Sequence, residues 1–215
     1  MSANHHDLPG LWLGKPAVTK RELILAAAQQ TLSVSGFHQT EVQVISNRTG
    51  ISKATIYKIF RSKDNLLLEM VKEVFDHLSV MAMHEIIGDG APVDRLRRIA
   101  EAFLLFGEQN RDLCLLILRD GARCVAGISH AYKESLQRML GAIEPLFRAA
   151  RETGELGPVP TEVIVETVLV TLLGHFQAWF ILHNCEGDLR EQGMRTVEYL
   201  ISEFSRADGP QLHQG

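Results

Sequence analysis

Ser52, Lys53, Ala54, Thr55, Tyr57 and Lys58 place hydroxyl, ammonium, methyl and phenol groups within two helical turns. That set can donate to guanine, touch a thymine methyl and meet phosphate, which is the chemistry a DNA groove asks for. Lys53 is the candidate donor to a base, and Ala54 and Thr55 carry the methyls. Tyr57 and Lys58 follow one turn later, in reach of phosphate or flanking base edges. Small groups are needed at the start of such a helix, because bulk there would prevent docking. Thr40 and Lys63 stand at expected helix starts, where hydroxyl, backbone N–H and ammonium can clamp phosphates.

Other chemistries are poorly supplied. His5 and His6 lie near the start, and His175 and His183 fall about two turns apart on an expected helix. That is too far for joint ligation, unlike an i, i+4 pair, and no metal is expected. The cysteines, Cys114, Cys124 and Cys185, are odd in number and form no CxxC pair, which argues against zinc or a disulfide framework and fits a reducing cytoplasm. On one continuous helix Cys114 and Cys124 would stand about 15 Å apart, which disfavours a thiol switch. No Ser/His/Asp or Cys/His constellation and no phosphate-cradling glycine loop appears, so a helical enzyme is the weaker alternative and no cofactor is expected. A helical interaction protein with incidental DNA affinity is a third reading.

Net charge is −4, but its distribution is uneven. From Lys15 to Lys63 eight basic residues face two acids, a local +6; from Asp64 onward 14 basic and 23 acidic residues give −9. A basic head on an acidic body brings one end to phosphates and keeps the rest away.

These groups need elements to position them. Strand patterning is almost absent and helical periodicity runs nearly throughout, so the expected class is all-α: a three-helix helix-turn-helix domain followed by a helical bundle. Residues 1–18 read as a flexible arm without signal-peptide character, 19–66 as the DNA-binding domain, 67–207 as the regulatory and dimerisation domain, and 208–215 as a disordered tail. No run of 18 or more uncharged apolar residues appears, so no membrane span is expected. The first helix should run from Thr19 to Val34, with Thr19 as cap, Glu22 completing a capping box and Gly36 as terminator; Leu23, Ile24, Ala27, Ala28, Thr31 and Leu32 form its stripe. A helix over Glu41–Arg48 with Thr40 as its cap, a turn at Thr49-Gly50 and a helix from Ser52 to Phe60 complete the motif. Val42, Ile45, Ile51, Ile56 and Phe60 should lock the pair. Ser62 caps a long helix, Lys63 to Glu85. Further helices are expected over Asp94–Gln109, Arg111–Cys124, Ser129–Thr153, Thr161–Asn184 and Asp188–Arg206.

The segment Arg21–Leu67 resembles the DNA-binding domain of the TetR family of bacterial regulators. The matching positions are Ala26-Ala27-Ala28, Gly36-Phe37, Thr40, Ile45, Gly50-Ile51-Ser52, Thr55-Ile56-Tyr57, Phe60, Ser62-Lys63 and Leu66-Leu67-Leu68. Ser46, Ala54, Val44 and Ile59 depart from the usual pattern, which leaves the operator sequence open. The resemblance implies a cytoplasmic homodimer on a palindromic double-stranded DNA operator, paired through the last two helices (about 161–184 and 188–206). It also implies a repressor released by a small effector, with the helix from Lys63 moving. The segment 161–184 is apolar on more than one face and needs cover on more than one side. Candidate effector contacts are Phe103, Phe106, Cys114, Leu118, Arg119, Met139, Phe147, Leu172, His175, Phe176 and Trp179. Each also reads as ordinary core. Their apolar dominance, with Arg119, His175 and Cys114 as polar points, implies a hydrophobic or amphipathic effector.

Overall fold

The computed structural model describes residues 19–120, 126–183 and 185–205, without the side chains of residues 33, 119, 120, 126–132 and 136. The expected arm, the tail, Cys124 and the side chain of Arg119 lie outside the described residues. The described chain is helical: α1 (Lys20–Ser35), α2 (Val42–Thr49), α3 (Lys53–Phe60), α4 (Lys63–Ile86), α5 (Pro92–Gln109), α6 (Arg111–Asp120), α7 (Ala126–Glu152), α8 (Thr161–Ile181) and α9 (Leu189–Phe204). They divide into two compact units. One is drawn from Met1–His77 and Gln109–Leu136, the other from Leu78–Glu108 and Gln137–Gly215. The first unit thus extends past residue 66 along α4 and takes in α6. That helix packs against α1, a pairing that chain order alone does not reveal.

Local chemistry sets the first unit. The Thr19 hydroxyl accepts from the Glu22 backbone N–H at 3.1 Å, and the Glu22 carboxylate accepts from the Thr19 N–H at 2.9 Å. The capping box therefore forms as the sequence predicts. Gly36 ends α1 at φ 78°, where a β-carbon would be strained. Ile24, Leu25, Ala28 and Leu32 are fully buried, while Leu23 is 39% exposed. Ala27 and Thr31 are buried as well, so the expected stripe holds except at Leu23, and Leu25 joins it where α2 and α6 both cover α1.

One expected cap is corrected. α2 begins at Val42, with Glu41 in the capping position and no side-chain cap. Thr40 is only 3% exposed, and its hydroxyl donates to the Gly36 carbonyl at 2.8 Å. The carbonyl left free where α1 ends takes this hydroxyl, and Thr40 closes the link from inside.

In the second unit, Val93, Leu96, Leu146, Phe147, Ala150, Leu156, Val159 and Ile164 form a buried cluster. Polar groups close its edges. Glu155 accepts from the Val93 N–H at 3.0 Å near the start of α5, and Arg98 Nε meets Glu85 at 2.6 Å. α8 packs along α9. α8 is long and apolar enough to cross a membrane by length and composition only, with its two acids, Glu162 and Glu166, in its first turns; a core helix can have the same composition. Only 28% of its most apolar window is buried within the chain. α8 stops at Ile181, short of the expected Asn184, so His183 is off the helix that carries His175.

Candidate nucleic-acid interface and apolar cavity

Gly50, at φ 69° and ψ 7°, supplies the left-handed residue that turns α2 into α3. Ser52 caps α3, its hydroxyl accepting from the Thr55 N–H at 3.3 Å. Val42, Ile45, Ile56 and Phe60 are buried and Ile51 is half-buried, so the aliphatic face is turned inward as predicted. Ser52, Lys53, Ala54, Tyr57 and Lys58 are exposed and Thr55 is half-buried. Tyr57 keeps 44% of its surface open. Apart from Lys53, the first turn of α3 presents small groups and the bulk of Tyr57 and Lys58 comes one turn later, as suits a helix that enters a groove end-first.

The other two predicted contacts face different tasks. The Lys63 ammonium donates to the carbonyls of Phe37 and Thr40 at 2.8 and 3.1 Å, and stands 4.4 Å from the centre of the Phe37 ring. It ties the α1–α2 link to the start of α4, with one donor left over. Thr40 is buried, as described above, so its hydroxyl is not presented to phosphate.

Several groups escaped the sequence reading. Gln43 Nε2 donates to Asn47 Oδ1 at 2.7 Å on α2, placing two amide side chains one turn apart beside the exposed Arg48. Arg61 sits at φ 66° and ψ −44°, with the Ser62 N–H reaching back to the Phe60 carbonyl at 2.8 Å. This is a γ-turn of the positive-φ kind, strained for any residue with a β-carbon. The Gln43–Asn47 spacing was visible in the sequence; the turn at Arg61 was not, since no glycine marks it.

The second unit contains a partly open cavity of about 70 Å³. Of the predicted effector contacts, Phe103, Met139, Phe147 and Leu172 line it. The remaining wall comes from residues not singled out beforehand, among them Leu78 and Met81 of α4, Ile99 and Ala100 of α5 and Val165 and Leu169 of α8. Every described lining residue is apolar. Phe176 stacks edge-on against Phe103, 5.0 Å between ring centres, and lies so close to Gly107 that a β-carbon there would come within 1.7 Å of it. It is core behind the wall. Trp179 donates to the Gly187 carbonyl at 3.1 Å and Phe106 is buried elsewhere in the same unit.

Neither His175 nor Cys114 lines this cavity. His175 shares a 2.8 Å hydrogen bond with the Thr196 hydroxyl between α8 and α9, and burial lowers its pKa. Cys114 and Leu118 belong to the first unit, on α6. Burial pushes the Cys114 thiol up to about 12, which holds it protonated and unreactive.

Comparison with known proteins places these features in context. A family model described as bacterial regulatory proteins, tetR family, matches residues 24–70. The fatty acid metabolism regulator protein of Bacillus subtilis (strain 168) is 34% identical over 181 residues, 83% of this chain and 92% of that protein. The HTH-type transcriptional regulator HbdR of Aromatoleum sp. (strain CIB) is 26% identical over 164 residues, 76% of this chain and 70% of that one. Among solved structures, the transcriptional regulator FadR from Bacillus subtilis in complex with stearoyl-CoA superposes with a TM-score of 0.77 at 18% identity, covering 85% of this chain and 98% of that chain. The TetR family regulator PfmR from Thermus thermophilus gives 0.70 at 22% identity, covering 83% and 97%. At these identities the superpositions establish a shared fold.

Proposed function

This chain belongs to the TetR family of bacterial regulatory proteins, and from that premise we propose that it is a repressor that leaves its operator when an apolar effector enters the second unit. As a member of that family it is a helix-turn-helix transcriptional regulator that binds DNA. Regulators of the family act as homodimers, so two copies of α3 would meet successive major grooves about 34–36 Å apart and the operator would be palindromic. The observation that carries the DNA reading is the inward turn of Ile56 and Phe60, which leaves a ridge of Ser52, Lys53, Ala54, Tyr57 and Lys58 on the surface. In this reading Lys53 meets a base, Ala54 and Thr55 contact thymine methyls, and Tyr57 and Lys58 reach phosphate or base edges. Thr40 and Lys63 act from behind by fixing the link that α2 starts from.

The effector reading rests on the apolar cavity and its use of α4. That helix runs from Lys63, which ties down the α1–α2 link, to Leu78, Met81 and Ala82, which line the cavity. A ligand that binds better when Leu78 and Met81 have moved would favour the non-DNA conformation by that difference in affinity. The relative solved with stearoyl-CoA carries an apolar chain on its ligand, and the wholly apolar lining here suits a ligand with an apolar chain, though a shorter one.

The test is selection of bound duplexes from a random pool, followed by a salt titration on the selected and scrambled sequences. A regulator recovers one palindrome and keeps a preference of about 10³-fold or more for it at physiological salt. A merely basic surface binds both duplexes alike and loses both together as salt rises, and that result would sink the proposal.

A further inference from the structure

A second, smaller cavity of about 30 Å³ lies beside the first in the same unit. The two have walls in common: Leu96, Ala100, Phe147 and Val168 border both. Beyond them the smaller chamber is closed by Leu156, Ile164 and Val197, with Ile201 and Phe204. Every described residue lining either chamber is apolar, and Leu96, Ala100, Phe147 and Val168 are the ones shared between the two.

Of the bordering residues, Phe147 is the one that can govern passage. Ala100 has no side chain to move, and Val168 is held to one rotamer by its branched β-carbon. Leu96 is smaller than Phe147 and spans less of the shared wall than a phenyl ring does. Phe147 carries that flat ring on two rotatable bonds and is 6% exposed. We propose that Phe147 is a partition that ends the main chamber and thereby sets the length of apolar chain the regulator accepts. The proposal rests on the effector reading above and adds to it a residue that determines specificity.

The sizes give the expected lengths. One water-sized group needs about 10–15 Å³ of such space, so the main chamber holds about five to seven methylene-sized groups and the smaller one about two or three more. Each methylene taken into an apolar chamber raises affinity about four-fold. Affinity should therefore climb with chain length and then level off where the chain meets the ring.

The experiment titrates the full chain with straight-chain fatty acids from hexanoate to hexadecanoate, and in a parallel arm with the matching coenzyme A thioesters, by calorimetry. The two arms show whether the chain is read alone or with its carrier. Phe147→Leu should move the levelling-off point to chains about two or three carbons longer, with a gain on the order of tenfold or more for those chains. Adding Val197→Phe, which fills the smaller chamber, should return the limit to its original place. Phe147→Met, whose unbranched side chain adapts to irregular gaps, makes the same prediction should the leucine variant fail to fold. If chains bind but the limit stays put in every variant, the partition is wrong and the effector reading survives. If no chain of any length binds the unaltered protein, both fall.

Discussion

Arg61 is the side chain whose backbone asks for an explanation. Its positive φ inside a γ-turn is a conformation that glycine adopts freely and arginine does not, at a cost on the order of 1 kcal/mol. The guanidinium is exposed at the end of α3, directly after the ridge that faces DNA. A strained residue kept basic at such a place fits a contact to the phosphate backbone. Arg61→Gly should then raise stability by about 0.5–1 kcal/mol in urea while weakening DNA binding and lowering the salt slope by about one. A variant that gains stability with unchanged salt dependence would remove Arg61 from the interface. Lys53→Ala makes a different prediction, a relaxed preference at one position of each half-site, costing about 1–3 kcal/mol per half-site, as read by competition between operator variants. Lys63→Ala should act through the fold: losing the ammonium bonds to Phe37 and Thr40 removes about 1–2 kcal/mol of stability before any DNA is added.

The glycines separate two demands on the helices. At Gly50 an added β-carbon meets nothing within 4 Å, so Gly50→Ala costs only the left-handed backbone, about 1 kcal/mol. At Gly107 it would sit 1.7 Å from the Phe176 ring, so Gly107→Ala must displace a buried aromatic between α5 and α8. Overpacking of that kind costs about 1–3 kcal/mol or more, and chemical denaturation should rank the second variant clearly below the first. Gly50 was legible in the sequence because it punctuates two short apolar runs. Gly107 was not, because a glycine inside a helix announces only a weaker helix, and its purpose appears when Phe176 lands on it. The same division holds across the elements. Thr19, Glu22, Gly36, Ser52 and Ser62 mark helix ends by chemistry local to a few residues, and the ends fall where that chemistry predicts. Thr40 misled because two acceptors or donors compete for one hydroxyl, and the winner depends on how the α1–α2 link bends. The cavity was half legible: Phe103, Met139, Phe147 and Leu172 sit on apolar faces of the right helices, but which face meets which is decided by packing. Cys114 and Leu118 were lost to that uncertainty when α6 paired with α1.

At the scale of the whole molecule, one chain leaves its most apolar helix uncovered. Along α8 the exposed positions are Glu162, Val163, Glu166, Val170, Gly174, Gln177 and Ile181; the acids lie in the first turns and the stripe beyond them is apolar apart from Gln177, with Val170 61% exposed. Among the described residues Gly174 has no packing explanation, since a β-carbon there would touch none of them within 4 Å. A glycine at the middle of an apolar stripe lets a second helix approach closely, and a second copy of α8 on a two-fold axis would use it twice. A solvent-facing helix of this hydropathy would otherwise expose an extended apolar patch to water. Gly174→Arg tests this without disturbing the fold of one chain, because there is open space for the side chain. Paired across the axis, two arginines would be buried near each other, at about 3–5 kcal/mol for an unpaired charge. Sedimentation should then show the dimer dissociating at concentrations at least about 100-fold higher than for the unaltered protein, with palindrome binding lost in step while helical content and melting of the monomer persist. If the variant sediments as the same dimer at the same concentrations, the α8 stripe is not where two copies meet, and the spacing of the two copies of α3 must be set by another surface.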